Sequence, residues 1–265
     1  MPFAVADSLV ARGLVPVLFA LRGACDPVPL ERYRHHWISV GQLGRAARLF
    51  RSEGCRDLIF IGTLLRPALS EIRLDWATIR AIGHVVSAFR GGDNHLLSGI
   101  GGLLERDGFR MVGVVDVAPD ILMPQGHIAR ATPDEGAAAD IARGREVLGA
   151  LGPFDIGQAV VVIDGHVVAV EDIEGTDGLL ARVARLREAG RIRARSGRGV
   201  LVKAPKSSQD LRFDLPTVGA KTIEGVAKAG LAGIAVIAGH TIAADSQAMI
   251  EAADRAGLFI EGLPA

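Results

Sequence analysis

The chain has 265 residues, 49% hydrophobic and 23% charged, enough for two domains that each bury a core. Thirty basic residues balance thirty acidic ones, which argues against DNA or another long polyanion as the main partner and makes any phosphate recognition local. Apolar runs such as LIFIG (Leu58 to Gly62) and AVVVI (Ala159 to Ile163) are strand-sized, far short of the roughly 20 residues of a membrane span.

The two cysteines, Cys25 and Cys55, have no CxxC spacing and form no disulfide framework, as expected in a reducing cytoplasm. Met1 leads straight into PFAVADSLVARGL, which reads as an amphipathic helix and not as a signal peptide. Helix-like and strand-like segments then alternate, the pattern of a parallel sheet covered by helices. The reading is helix Ala4 to Ala11, strand Val15 to Leu21, helix Gln42 to Ser52 and strand Asp57 to Ile61. A helix from Trp76 to Phe89 ends at RGGDN, where Asp93 or Asn94 can cap a second helix to Asp107, followed by a strand around Arg110 to Val115.

Between Asp116 and Pro133 the sequence DVAPDILMPQGHIARATP has three prolines and no period, as a linker does. The expected division is residues 1–122, Rossmann-like; 123–133, linker; and 134–265, a catalytic mixed α/β domain. The second domain opens with a helix from Asp134 or Glu135 to Leu148. Strands Gln158 to Ile163 and Val167 to Val170 flank an Asp-Gly turn that signals a hairpin. Thr176 can cap a helix to Arg187, and Val200 to Lys203 is a short strand. Helices Ala220 to Ala229 and Ser246 to Ala256 alternate with strands Ile234 to Ile237 and Leu258 to Glu261.

Several clusters could carry chemistry. DNH, at Asp93 to His95, is either a helix cap with solvent-facing side chains or a polar site. VEDIEGTDG puts Glu171, Asp172, Glu174 and Asp177 after an apolar strand, where open α/β sheets place their sites; the plain alternative is a solvated strand end. Mg²⁺ suits such a cluster, because it takes one or two carboxylates plus substrate phosphate. In KAPK, Pro205 stiffens the segment carrying Lys203 and Lys206, and Gly219 precedes a helix whose N–H groups could face an anion. Asp214 beside Lys203, Lys206 and Lys221 should stay ionised; a basic loop with a capping Asp reads equally well. His35 and His36 lack a third ligand at metal spacing and read as a solvated loop, while His240 reads as a turn or cleft residue.

GGDNHLL, FDIGQAVVV, VEDIEGTDGLL, VLVKAPKSSQD, DLPTVGAKTI and AGLAGIAV occur in this order. Together they resemble the LpxI-type UDP-2,3-diacylglucosamine pyrophosphatases of the lipid A pathway, over nearly the whole chain. The resemblance implies two α/β domains with the substrate in a cleft between them, and Mg²⁺-dependent hydrolysis to UMP and 2,3-diacylglucosamine 1-phosphate by attack on the sugar-side phosphorus. The family's essential motif aspartate falls on Asp214. On this basis Asp214, Lys203 and Lys206 are expected to be catalytic, and Asp214, Glu174 and Asp177, with Asp172 as a further candidate, to hold the metal. Gln209, Thr217, Gly219, Lys221, Thr176, Asp93 and Asn94 are expected to bind substrate.

The resemblance implies that Met1-Pro2 aligns with the end of the family's glycine-rich turn, so the first strand and that turn are expected to be missing, either through a start codon called too late or through a real loss. A homodimer, a cytoplasmic location and peripheral contact with the inner face of the inner membrane complete the expectations. Two other classes compete: a nucleotide-sugar transferase, which requires an acceptor in place of water, and a non-catalytic lipid or nucleotide-sugar carrier.

Overall fold

The computed structural model describes residues 1–62 apart from 24 and 26, residues 75, 76 and 78, and residues 93–206 and 209–265. The chain forms two compact units. Unit 1 is Met1–Ala118 together with Arg212–Asp214; unit 2 is Pro119–Leu211 and Leu215–Ala265. Both are mixed α/β, as the alternation of patterns predicts.

In unit 1, helix α1 (Pro2–Ala11) precedes strand β1 (Leu18–Leu21), short helix α2 (Pro27–Leu30) and strand β2 (His35–Ile38). Strands β1 and β2 pair in parallel, so the HHWI segment is a strand and not the expected solvated loop. Its register sets His36 opposite Phe19, with the two rings stacked at 5.4 Å, and His36 also reaches Glu53 at 2.7 Å. Helix α3 (Leu43–Ser52) leads to β3 (Asp57–Leu58), which pairs in parallel with β4 (Arg110–Met111) behind helix α4 (Asp93–Arg106). The strand expected around Arg110 to Val115 is shorter than predicted, because short helix α5 (Val114–Val117) takes its last two residues. The helix expected from Trp76 to Phe89 lies largely outside the described residues. Ala46, Ala47, Phe50, Leu58, Leu104, Phe109 and Met111 form the core, joined by Phe213 from far along the chain.

Unit 2 is built on a six-stranded sheet. Its strands are β5 (Gly126–His127), β6 (Ala159–Ile163), β7 (His166–Val170), β8 (Val200–Lys203), β10 (Gly233–Ile237) and β12 (Phe259–Leu263), in the order β5-β12-β10-β8-β6-β7. Strands β8, β10 and β12 are parallel, and β6, β7 and β5 add antiparallel edges. A two-strand parallel pair, β9 (Thr217–Gly219) with β11 (Ile242–Ala244), lies outside that sheet.

Side chains alternate between two cores, as the two-residue period of a strand requires. Val161, Leu201, Ile234 and Ile260 face helices α7 (Gly175–Glu188), α8 (Ala220–Lys228) and α9 (Ser246–Ala256). Val160, Val162, Val202 and Ala235 face helix α6 (Glu135–Leu151), which Asp134 caps by accepting from the Ala137 N–H at 2.7 Å. The predicted Asp-Gly hairpin joins β6 and β7, with Asp164 at φ 49° and Gly165 at φ 77°. Within residues 123–133, β5 pairs with β12 and Met123 is fully buried.

Candidate active site

Lys203 ends β8, and with 5% of its surface exposed it is an unusual place for an ammonium. Burial of that charge requires partners. Its Nζ donates to Thr176 Oγ1 at 2.8 Å and to the Thr217 carbonyl at 3.3 Å. Thr176 in turn donates to Glu171 Oε1 at 2.6 Å, and the other carboxylate oxygen of Glu171 accepts from the Gln158 N–H at 2.8 Å. Glu171 is itself 5% exposed. A buried ammonium and a buried carboxylate are thus joined through one hydroxyl at the end of three strands.

The fold supplies this meeting locally. Glu171 follows β7, Lys203 ends β8, and Gln158 precedes β6, which lies between them in the sheet. Gly157 sits at φ 50°, and a Cβ there would stand 2.2 Å from the Glu171 carbonyl oxygen, so only glycine brings Gln158 this close. Thr176 does not cap α7 as expected. The N-cap is Glu174, and the Thr176 hydroxyl is taken by Glu171 and Lys203 instead.

The other expected residues form separate pairs. Lys206 Nζ donates to Asp155 Oδ1 at 2.5 Å, while the Lys206 and Gln209 segment closes on itself through Lys206 N–H to Gln209 Oε1 at 2.9 Å and Gln209 N–H to the Lys206 carbonyl at 3.0 Å. Lys221 and Asp177 pair at 2.5 Å on the surface, and that hydrogen bond, then the carboxylate charge, holds the Lys221 ammonium above the ordinary lysine range. Glu174 faces Arg182 at 2.6 Å. Gly219 is the N-cap of α8, as its position in the sequence predicts. Asp93 and Asn94 open α4, but their side chains lie outside the described ones.

Asp214 is exposed and closes the three-residue segment that belongs to unit 1. Its neighbours fix that segment. Phe213 is buried against Phe60, ring centroids 5.7 Å apart, and Arg212 reaches Glu105 at 2.9 Å. The sequence places Glu171 among four carboxylates without setting it apart from the others, and it does not single out Gln158, Asp155 or Phe213. The usable signal for Glu171 was the strand period: counting by twos from Ala169, which faces the helix-covered core, leads to 171.

Among the described residues no three His, Cys, Asp or Glu side chains gather as a metal centre. Glu174 and Asp177 each already face a cation of the chain, so a metal at either must displace Arg182 or Lys221. These two do not fit a preformed cage.

Both units are mixed α/β, and the second carries a lysine buried at a strand end. The LpxI N-terminal domain family matches residues 1–121 and the LpxI C-terminal domain family residues 124–261. A UDP-2,3-diacylglucosamine pyrophosphatase LpxI from Caulobacter vibrioides is 39% identical over 263 residues, which cover 99% of this chain and 94% of the relative. The chain belongs to the LpxI family, and this relative is named as a pyrophosphatase, a hydrolase of a phosphoric anhydride.

Proposed function

We propose that the protein hydrolyses the pyrophosphate of UDP-2,3-diacylglucosamine to UMP and 2,3-diacylglucosamine 1-phosphate in lipid A biosynthesis. What carries the reading is the end-to-end match to a relative of that name, 39% identical over 99% of the chain. The buried Lys203 supports it, because a desolvated ammonium acts on phosphate oxygens more strongly than one in water.

In this reading Lys203 and Lys206 offset charge on the diphosphate, and Asp214 is the essential carboxylate. Thr176, Gln209, Thr217, Gly219, Lys221, Asp93 and Asn94 contribute to holding substrate. Water adds to the phosphorus nearer the sugar, the bridging P–O bond breaks, and UMP leaves with the bridging oxygen. Mg²⁺ is assigned to the substrate-bound state, with Asp214 as its carboxylate, and would neutralise phosphate charge there. Glu174 and Asp177 are left out of that assignment because each has its own cation. A homodimer and contact with the inner membrane face remain part of the proposal; among the described residues no helix is long and apolar enough to cross a membrane.

The test is UMP release from UDP-2,3-diacylglucosamine in ¹⁸O-labelled water, with Mg²⁺ and with a chelator. Asp214→Ala is expected to lower turnover by about 10³-fold or more, with unlabelled UMP from the parent protein. Turnover that needs a sugar acceptor in place of water would identify a transferase. Tight binding with no UMP release would identify a carrier.

A further inference from the structure

The Thr176 hydroxyl has a single proton. Since Glu171 can only accept when ionised, that proton goes to Glu171 Oε1, and the Thr176 oxygen is left to accept from Lys203 Nζ. The carboxylate of Glu171 sets the direction of the first bond and the donor-only ammonium of Lys203 that of the second, so the hydroxyl bridges the two in one orientation. Its second oxygen is held by the Gln158 N–H, in an approach that Gly157 alone permits. Each group in the chain Gln158, Glu171, Thr176, Lys203 is tied to the next, and the last is the ammonium assigned above to the diphosphate.

We propose that Glu171 is a positioning residue for the hydrolysis, acting through Thr176 to aim the buried ammonium of Lys203. This rests on the assignment of Lys203 to the substrate diphosphate. Glu171 touches no reacting atom in this role. Its carboxylate orients the hydroxyl, and the hydroxyl, together with the Thr217 carbonyl, holds the lysine in place.

Steady-state kinetics of the full chain on UDP-2,3-diacylglucosamine test it. Glu171→Gln retains the volume but offers one acceptor and one donor where two acceptors are needed. Its kcat is expected to fall about tenfold to hundredfold, with KM within about threefold of the parent. Thr176→Val should fall likewise, and Thr176→Ser, which restores the hydroxyl, should be at least about tenfold faster than the valine variant. Circular dichroism checks folding. If Glu171→Gln does not fold, the Thr176 pair decides through kcat at saturating substrate, which is separate from the substrate-holding role of Thr176 read in KM, since it breaks and restores the same link with the carboxylate in place.

A Glu171→Gln kcat within about twofold of the parent, or equal rates for the two Thr176 variants, overturns the proposal. Lys203→Met separates the two levels of the argument. Full turnover in Lys203→Met overturns both the Lys203 assignment and the role of Glu171. Loss of turnover there with a normal rate in Glu171→Gln overturns the role of Glu171 alone.

Discussion

Gly101 has no side chain, and the ring of Phe213 occupies the space. A Cβ at position 101 would lie 2.5 Å from Phe213 Cζ and 2.9 Å from Cε1, so Gly101→Ala must push the ring out of the core it shares with Phe60 and Leu104. Overpacking of this kind costs about 1–3 kcal/mol. Thermal unfolding should show a lower Tm for Gly101→Ala, and Phe213→Leu in the same chain should recover part of the loss by making room. Independent, additive losses would mean that the two positions do not share the contact. At this scale the sequence was half readable. Lys203, Lys206 and Asp214 could be singled out because their motifs are contiguous. Glu171 was within reach only by carrying the strand period two residues beyond Ala169, and Phe213 was not, since a sequence does not say which distant core a phenylalanine joins.

The hairpin of β6 and β7 depends on a residue in another element. Asp140 of α6, 2% exposed, accepts from the Asp164 N–H at 3.0 Å and the Gly165 N–H at 2.6 Å, so one buried carboxylate satisfies both turn amides. Asp140→Ala leaves two donors without their acceptor. A loss of about 2–4 kcal/mol is expected in urea unfolding, and Asp140→Asn, which retains one acceptor, should lose less. Equal stabilities of Ala and Asn variants would assign the effect to packing. The hairpin itself was legible from Asp164-Gly165 between apolar runs. Strand β2 was not, because His35 and His36 mask its apolar pattern and its partner β1 lies across a connection. Two-residue β5 carries no periodic signal at all, and its strand character comes wholly from pairing with β12. Thr176 misled for a related reason: a hydroxyl near a helix start favours capping until a tertiary partner claims it.

At the scale of the molecule, alternating patterns were enough to predict two α/β units, and the order of motifs was enough to point to the family that matches residues 1–121 and 124–261. What no pattern revealed is that the chain leaves unit 2 after Leu211 and returns to it at Leu215. Nothing local distinguishes LRFDL as an excursion. Its marks are tertiary: Phe213 packs with residues 60, 101, 104 and 111, and Arg212 pairs with Glu105.

That excursion governs the order in which the protein can be made. A chain emerging from the ribosome presents its N-terminal unit first, yet the core of unit 1 lacks Phe213 until most of unit 2 has been synthesised. Nascent chains stalled after Ala118 should remain open to protease at unit 1, and chains long enough to expose residue 214 should become protected. Equal protection at both lengths would show that unit 1 closes without its late residues. The N-terminal half thus finishes folding on a timetable set by the C-terminal half, so translation speed through residues 119–211 becomes a determinant of how long an unfinished core stays exposed.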